Sequence, residues 1–310
     1  MTLLIIAPGE RLEWWQREFT RAAPDLEVRS WPDVGDPADI RYALAWKPPA
    51  GELAKLPNLQ PVLSMGAGAD HLFVDPTLPD VPVTRVVDSY LTAGITEYVL
   101  LHVLRYHRNQ PVFAAQQREH VWDDRARELR QADERRVGVM GLGELGRDAV
   151  AKLAALGFDV AGWSRTAKDI PGVACFDGPD ELAPFLARTE ILVCLLPMTA
   201  QTADILNRET LAHLPQGACL INAARGGHVV DADLIGALAS GQLAHATLDV
   251  FREEPLPGDH PFWDHPQITI TPHNASITDP RSVVRQVAEN IRRIDAGEPL
   301  LHLVDREAGY

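Results

Sequence analysis

The chain has 310 residues, enough for about two domains at ~150 residues each. Its 46 % hydrophobic and 23 % charged content excludes disorder over most of the length, because there is ample apolar material for a core. Asp and Glu total 43 against 29 Lys and Arg, a net charge of −14, which argues against nucleic acid as a main partner.

The first seven residues, Met-Thr-Leu-Leu-Ile-Ile-Ala, lack a basic segment and read as a buried strand over 3–7 rather than a signal peptide. Residues 11–22 have helical spacing, with Leu12, Trp15 and Phe19 on one face; Trp14 and Trp15 are adjacent, so only one can face a core stripe fully. Residues 42–46 and 61–65 read as two more strands, and this β-α-β alternation predicts a parallel sheet covered by helices. A long amphipathic helix is expected over 91–108, with His102 and His107 at its surface or in an interface. A polar, aromatic-dotted stretch follows over 110–130.

A second β-α-β series begins at the strand 137–140, with Arg135 and Arg136 before it as a solvated charge pair. A helix over 144–156 is stopped by Gly157, and strands are expected at 158–163, 190–196, 218–222, 244–249 and 268–271. The last helix, 279–296, is closed by Gly297 and returns the chain after the second sheet, so it can complete the first domain. The three cysteines, Cys175, Cys194 and Cys219, are odd in number and form no C-x-x-C pair. This argues against a disulfide framework or Cys-based zinc site and fits a reducing cytoplasm. No apolar run approaches the ~20 residues of a membrane span, so no membrane partner is expected. No H-E-x-x-H occurs, so no metal is expected, and no G-x-S-x-G elbow occurs either.

The clearest local signal is Gly141-Leu142-Gly143-Glu144-Leu145-Gly146, directly after a strand and opening a helix. Gly141 suits the tight turn, Gly143 lets backbone approach a pyrophosphate, and Gly146 allows close helix–strand packing. The helix N-terminus then presents N–H groups to the phosphates. The next strand ends in Ser164-Arg165-Thr166, with Lys168 beyond, where an NAD-preferring fold carries Asp or Glu for the ribose. Arg gives a charge-assisted fork to a 2′-phosphate, so NADP(H) is the expected cofactor. Leu196 and Pro197, after a later strand, are candidates for the adenine wall, and such a segment is as often plain core.

Three further segments carry polar residues at strand ends: 220–227 with Ala223 and Arg225, 248–255 with Asp249, Glu253 and Glu254, and 270–276 with His273. Hydride transfer to a carbonyl also needs a proton donor, and His is suited to this near neutral pH. A neighbouring carboxylate favours imidazolium, and Arg can hold a substrate carboxylate. Arg225, Glu254 and His273 are of the types that do these three jobs; by chemistry alone Glu253 is as plausible as Glu254. Taken singly, Arg225 also reads as an ion-pair partner and His273 as a core histidine.

In their order and spacing, 141–146, 222–227, 249–255 and 271–276 resemble the D-isomer-specific 2-hydroxyacid dehydrogenase family, over nearly the whole chain. Within it the chain is most similar to the glyoxylate/hydroxypyruvate reductase branch, through Trp46-Lys47-Pro48-Pro49, 64–70, 163–166 and the ending 304–310. The resemblance implies two Rossmann-like α/β domains with parallel sheets. The flavodoxin-like substrate domain is discontinuous, 1–97 with 277–310, and the cofactor domain is inserted as 98–276. It implies His273 as acid/base, Glu254 as its partner, and Arg225 as the binder of the 2-oxo acid. The implied substrate set is Trp46, Met65, Gly66, Ala67, Gly68, Arg225 and His273, with the Ala67 and Gly68 N–H groups on the carboxylate. The implied cofactor set is 141–146, Ser164, Arg165, Thr166, Lys168, Leu196, Pro197, Ala223, Arg225 and Asp249. The expected reaction is NADPH-dependent reduction of glyoxylate to glycolate or hydroxypyruvate to D-glycerate. The alternatives are bulkier 2-keto acids such as phenylpyruvate, or a non-catalytic dinucleotide sensor. A homodimer using residues 91–130 is implied. Asn274-Ala275-Ser276 departs from the common Val-Ala-Ala after the catalytic His and leaves substrate preference open.

Overall fold

The computed structural model describes residues 1–7, 12–126 and 130–310. Arg11 of the first expected helix and 127–129 of the polar stretch lie outside the described residues. The chain divides into two compact units, Met1–Leu91 with Thr278–Tyr310, and Thr92–Ile277.

The first unit contains β1 (Thr2–Ile6), α1 (Leu12–Ala22), β2 (Glu27–Ser30), β3 (Ile40–Ala45), β4 (Val62–Ser64), α2 (Asp70–Phe73) and β5 (Val83–Thr84). The strands pair in parallel in the order β2-β1-β3-β4-β5, the flavodoxin-like arrangement. β1 is apolar from Leu3 to Ile6 because both faces are covered: Leu3 and Ile5 join Trp15 and Phe19 of α1, while Leu4 and Ile6 join Leu53, Leu56 and Leu72. Trp15 is 5 % exposed and its neighbour Trp14 is 40 % exposed, as one helical face dictates.

Helix α3 (Ser89–His107) carries the chain into the second unit. The division falls inside it, at Leu91/Thr92 rather than at 97/98, and no breaker within this continuous helix marks the point. Next come α4 (Gln110–Arg118), β6 (Arg136–Met140), α5 (Glu144–Ala155), β7 (Asp159–Ser164), β8 (Ala174–Asp177) and α6 (Leu182–Ala187). The series ends with β9 (Ile191–Cys194), α7 (Arg208–Ala212), β10 (Ala218–Asn222), α8 (Asp231–Ala239), β11 (Leu243–Leu248) and β12 (Ile268–Ile270). The sheet is parallel, in the order β12-β11-β10-β9-β6-β7-β8. Strand order reverses between β6 and β9, so the ligand-binding crevice of such a sheet opens at their carboxyl ends.

The chain returns to the first unit as α9 (Pro280–Ala296), where Asp279 caps the start by accepting from the Arg281 N–H at 2.9 Å and Gly297 ends it at φ +69°. Val283, Val284, Val287 and Ile291 enter the same cluster as Trp15 and Phe19. Asn290, fully buried, pins the tail: it accepts from the Leu301 N–H at 2.8 Å and donates to its carbonyl at 3.3 Å. No helix among the described residues is long and apolar enough to cross a membrane.

Two surface expectations are corrected. His102 and His107 are 5 % and 8 % exposed, because α3 lies on β11 and β12 through paired hydroxyls and rings. The Tyr106 and Thr247 hydroxyls lie 2.5 Å apart, Arg105 donates to the Thr269 hydroxyl at 2.9 Å, and His107 meets Phe158 edge-on. Arg135 is 8 % exposed and lies 3.8 Å from Glu190, which also takes Arg130 and Arg136.

Burial, reinforced by the Arg105 charge, lowers the His102 imidazole from 6.5 to about 4. Between those values the unfolded chain binds a proton that the folded chain refuses, so acidification destabilises the fold. We expect His102→Leu to remove roughly 1–2 kcal/mol of the stability lost between pH 6.5 and 5, measured by urea unfolding at the two pH values.

Candidate active site

The glycine turn follows β6, an interior strand of the second unit's sheet beside β9. Gly141 sits at φ +99°, where a side chain is strained, and its N–H donates to the Trp163 carbonyl at 2.8 Å, tying the turn to β7. A Cβ on Gly146 would lie 1.7 Å from the Gly141 carbonyl oxygen, so only glycine lets α5 begin this close to the turn. A Cβ on Gly143 would meet nothing within 4 Å; its place is the open side of the turn. Gly143 also stands at the N-cap of α5 with no side chain to cap it, so the first N–H groups, at Glu144 and Leu145, present themselves as a phosphate cradle. This geometry fits a dinucleotide pyrophosphate. The Leu142 side chain is not part of that cradle: it is 2 % exposed and packs over Gly162.

Ser164 ends β7, whose register sets Trp163 opposite Met140, so the 164–168 segment emerges beside the glycine turn. Arg165 and Thr166 are exposed and Lys168 is half-buried. Ser164 is buried, and its hydroxyl donates to the Thr166 carbonyl at 2.8 Å, shaping the turn that carries Arg165. Leu196 is a core residue at 6 % exposure, and Pro197 is half-buried, its carbonyl accepting from the Thr202 hydroxyl at 2.7 Å.

Ala223 and Arg225 follow β10. Asn222, fully buried, accepts from the Ala224 N–H at 3.1 Å and donates to the Arg225 carbonyl at 3.0 Å, and Arg225 itself donates to the Ala224 carbonyl at 2.7 Å. A Cβ on Gly226 would lie 1.9 Å from the Phe251 carbonyl carbon, so the Arg225 turn presses directly on the backbone of the Glu254 loop. In that loop Glu254 Oε1 accepts from the Phe251 N–H at 3.1 Å, and Oε2 lies 2.9 Å from His273 Nδ1. The geometry thus pairs Glu254, not Glu253, with His273.

His273 follows β12 at φ +51° and is about one-third exposed, its side chain at 34 %. Asp249, 1 % exposed, engages the His273 loop: its carboxylate accepts from the Thr271 hydroxyl at 2.6 Å and from the N–H groups of Asn274 and Ala275 at 3.0 Å. The His273 N–H donates to the Asp249 carbonyl at 2.8 Å. Neither Asn222 nor Thr271 was singled out from the sequence. Their signal is a small polar residue at or just past the carboxyl end of a strand, Asn222 closing β10 and Thr271 following β12.

In the first unit Met65 is 5 % exposed, Gly66 is buried, and Ala67, Gly68 and Trp46 are half-buried. Ser64 shapes their turn, accepting from the Gly66 N–H at 3.2 Å and donating to the Gly68 carbonyl at 2.9 Å. Trp46 stacks at 4.6 Å, tilted, on His71.

Residues 100–275 match the family described as D-isomer specific 2-hydroxyacid dehydrogenase, NAD binding domain. The chain is 43 % identical over 316 residues to glyoxylate/hydroxypyruvate reductase A of Serratia proteamaculans, with 100 % of both chains covered. It superposes with a TM-score of 0.95 on a D-isomer specific 2-hydroxyacid dehydrogenase from Xanthobacter autotrophicus solved with NADPH and MES, at 48 % identity over 100 % of this chain and 99 % of that one. For an NADPH-dependent glyoxylate/hydroxypyruvate reductase from Sinorhizobium meliloti, solved with NADP and sulfate, the TM-score is 0.93 at 39 % identity, again over 100 % and 99 %. With likeness running through both units and the glycine turn inside the matched segment, the chain belongs to the D-isomer-specific 2-hydroxyacid dehydrogenase family.

Proposed function

We propose that this enzyme reduces small 2-oxo acids with NADP(H), taking glyoxylate to glycolate and hydroxypyruvate to D-glycerate. The reading rests above all on the 2.9 Å contact between Glu254 and His273 Nδ1. A carboxylate accepts, so Nδ1 carries the shared proton and Nε2 is the ring atom that serves the substrate. The Serratia and Sinorhizobium relatives, named for glyoxylate and hydroxypyruvate, support the choice of acid.

When bound, the nicotinamide supplies a hydride to the 2-oxo carbon. The N–H groups opening α5 hold the pyrophosphate, and Arg165 takes the 2′-phosphate. Arg225 holds the substrate carboxylate, as do the Ala67 and Gly68 N–H groups, so the carbonyl is oriented before reaction. His273 Nε2–H then gives its proton to the developing alkoxide, while Glu254 steadies the imidazolium. Atoms balance: one hydride and one proton turn the carbonyl into the hydroxyl.

The protein acts as a homodimer. Leu101 and Leu104 on α3 are 61 % and 40 % exposed, and Trp122 is 97 % exposed next to Val121 at 47 %, exposed apolar side chains within the segment expected to pair.

His273→Ala should lower kcat by about 10²–10⁴-fold in NADPH oxidation at 340 nm with glyoxylate and hydroxypyruvate, leaving the NADPH Kd unchanged. Tight NADPH binding by the parent enzyme with no turnover of any 2-oxo acid would instead favour a dinucleotide sensor. Arg165→Ala should raise the KM for NADPH about 10–100-fold while barely moving that for NADH, the loss of one charge-assisted phosphate contact. Trp122→Glu should shift the mass seen by light scattering from dimer towards monomer.

A further inference from the structure

The loop that carries His273 is gripped from outside by one face of α3. Gly94 and Tyr98 are four residues apart and so share that face. At one end of the loop a Cβ on Gly94 would come 2.4 Å from the Ser276 hydroxyl oxygen and 3.0 Å from its Cβ, so α3 and the loop lie in close contact there. At the other end the Tyr98 hydroxyl lies 2.8 Å from the Thr271 hydroxyl. Thr271 commits its only proton to Asp249 at 2.6 Å, so Tyr98 is the donor. The bonds therefore converge on one carboxylate: Tyr98 O–H donates to Thr271, Thr271 O–H donates to Asp249, and the N–H groups of Asn274 and Ala275 donate to the same Asp249 carboxylate. By donating to Thr271, Tyr98 makes the Thr271 hydroxyl the stronger donor to Asp249. Asp249 thereby holds the chain on both sides of His273, at Thr271 before it and at Asn274 and Ala275 after it; His273 is a non-glycine residue at φ +51°, a backbone shape that persists only where neighbours impose it.

We propose that Tyr98 is a positioning residue for the reduction: through Thr271 and Asp249 it fixes the backbone from which His273 presents Nε2. Tyr98 meets neither substrate nor cofactor in this role. The inference rests on His273 being the proton donor of the function proposed above.

The test compares Tyr98→Phe, Thr271→Val, the double variant and Thr271→Ser, all in the full-length enzyme. Tyr98→Phe should lower kcat about fivefold, the effect of one buried hydrogen bond, with the NADPH Kd and substrate KM within about twofold. Amide hydrogen exchange over 271–276 should quicken in the same variant. Thr271→Val should do more, because it cuts the chain nearer Asp249, and Thr271→Ser should restore most of the activity. Adding Tyr98→Phe to Thr271→Val should change nothing further, since the link is already cut. Unchanged kcat and exchange in Tyr98→Phe, or losses that simply add in the double variant, would overturn the inference. If the parent enzyme reduces no 2-oxo acid, the function proposed for His273 fails; the exchange rates over 271–276 still decide whether Tyr98 holds the loop.

Discussion

The buried Asp249 carboxylate is the point on which the catalytic geometry turns. At 1 % exposure it is isolated from water, and a charge in that position persists only when its acceptors are filled. The Thr271 hydroxyl and two backbone N–H groups fill them, and all three donors belong to the loop around His273. Desolvation thus becomes specificity of shape, because the loop conformation that satisfies the carboxylate also holds His273 at positive φ. Glu254 then needs only to reach the imidazole from the neighbouring loop, held by the Phe251 N–H.

Close backbone contact does comparable work elsewhere. Gly146 lets α5 start against the glycine turn, and Gly226 lets the Arg225 turn lie on the Phe251 backbone. In both places a methyl group would overlap backbone atoms, which cannot swing aside as a side chain can. Arg225 and Glu254 are therefore coupled through main chain, and Asn222 secures the turn from the strand side.

Much of this was legible in the residue order. β1 and β6 declare themselves by the unbroken apolar runs Leu3–Ile6 and Val137–Met140 of strands covered on both faces, and the glycine turn declares itself by its place between strand and helix. β2, β5 and β8 were not found. All three are edge strands: β2 and β8 carry exposed or half-buried polar residues such as Glu27 and Asp177, and β5 is only two residues long. The pairing of Glu254 with His273 was open on chemistry alone, because Glu253 is chemically identical and only the fold of the loop separates them. The tie of Asp249 to the His273 loop leaves no local sign because its partners lie more than twenty residues onward, and Tyr98 reads as any helical aromatic because Thr271 is 173 residues away. Distant partners leave no local periodicity, whereas buried faces do.

The return of α9 has a consequence for how the chain is made. Trp15, Phe19 and the β1 side chains Leu3 and Ile5 share their cluster with Val283, Val284, Val287 and Ile291. During synthesis from the N-terminus, the first 91 residues emerge with that apolar face uncovered. The second unit, contiguous from Thr92 to Ile277, is complete before the missing helix is made. The segment born first is therefore the last to close its core, and for most of translation it is the part of the nascent chain most exposed to aggregation and most in need of a chaperone.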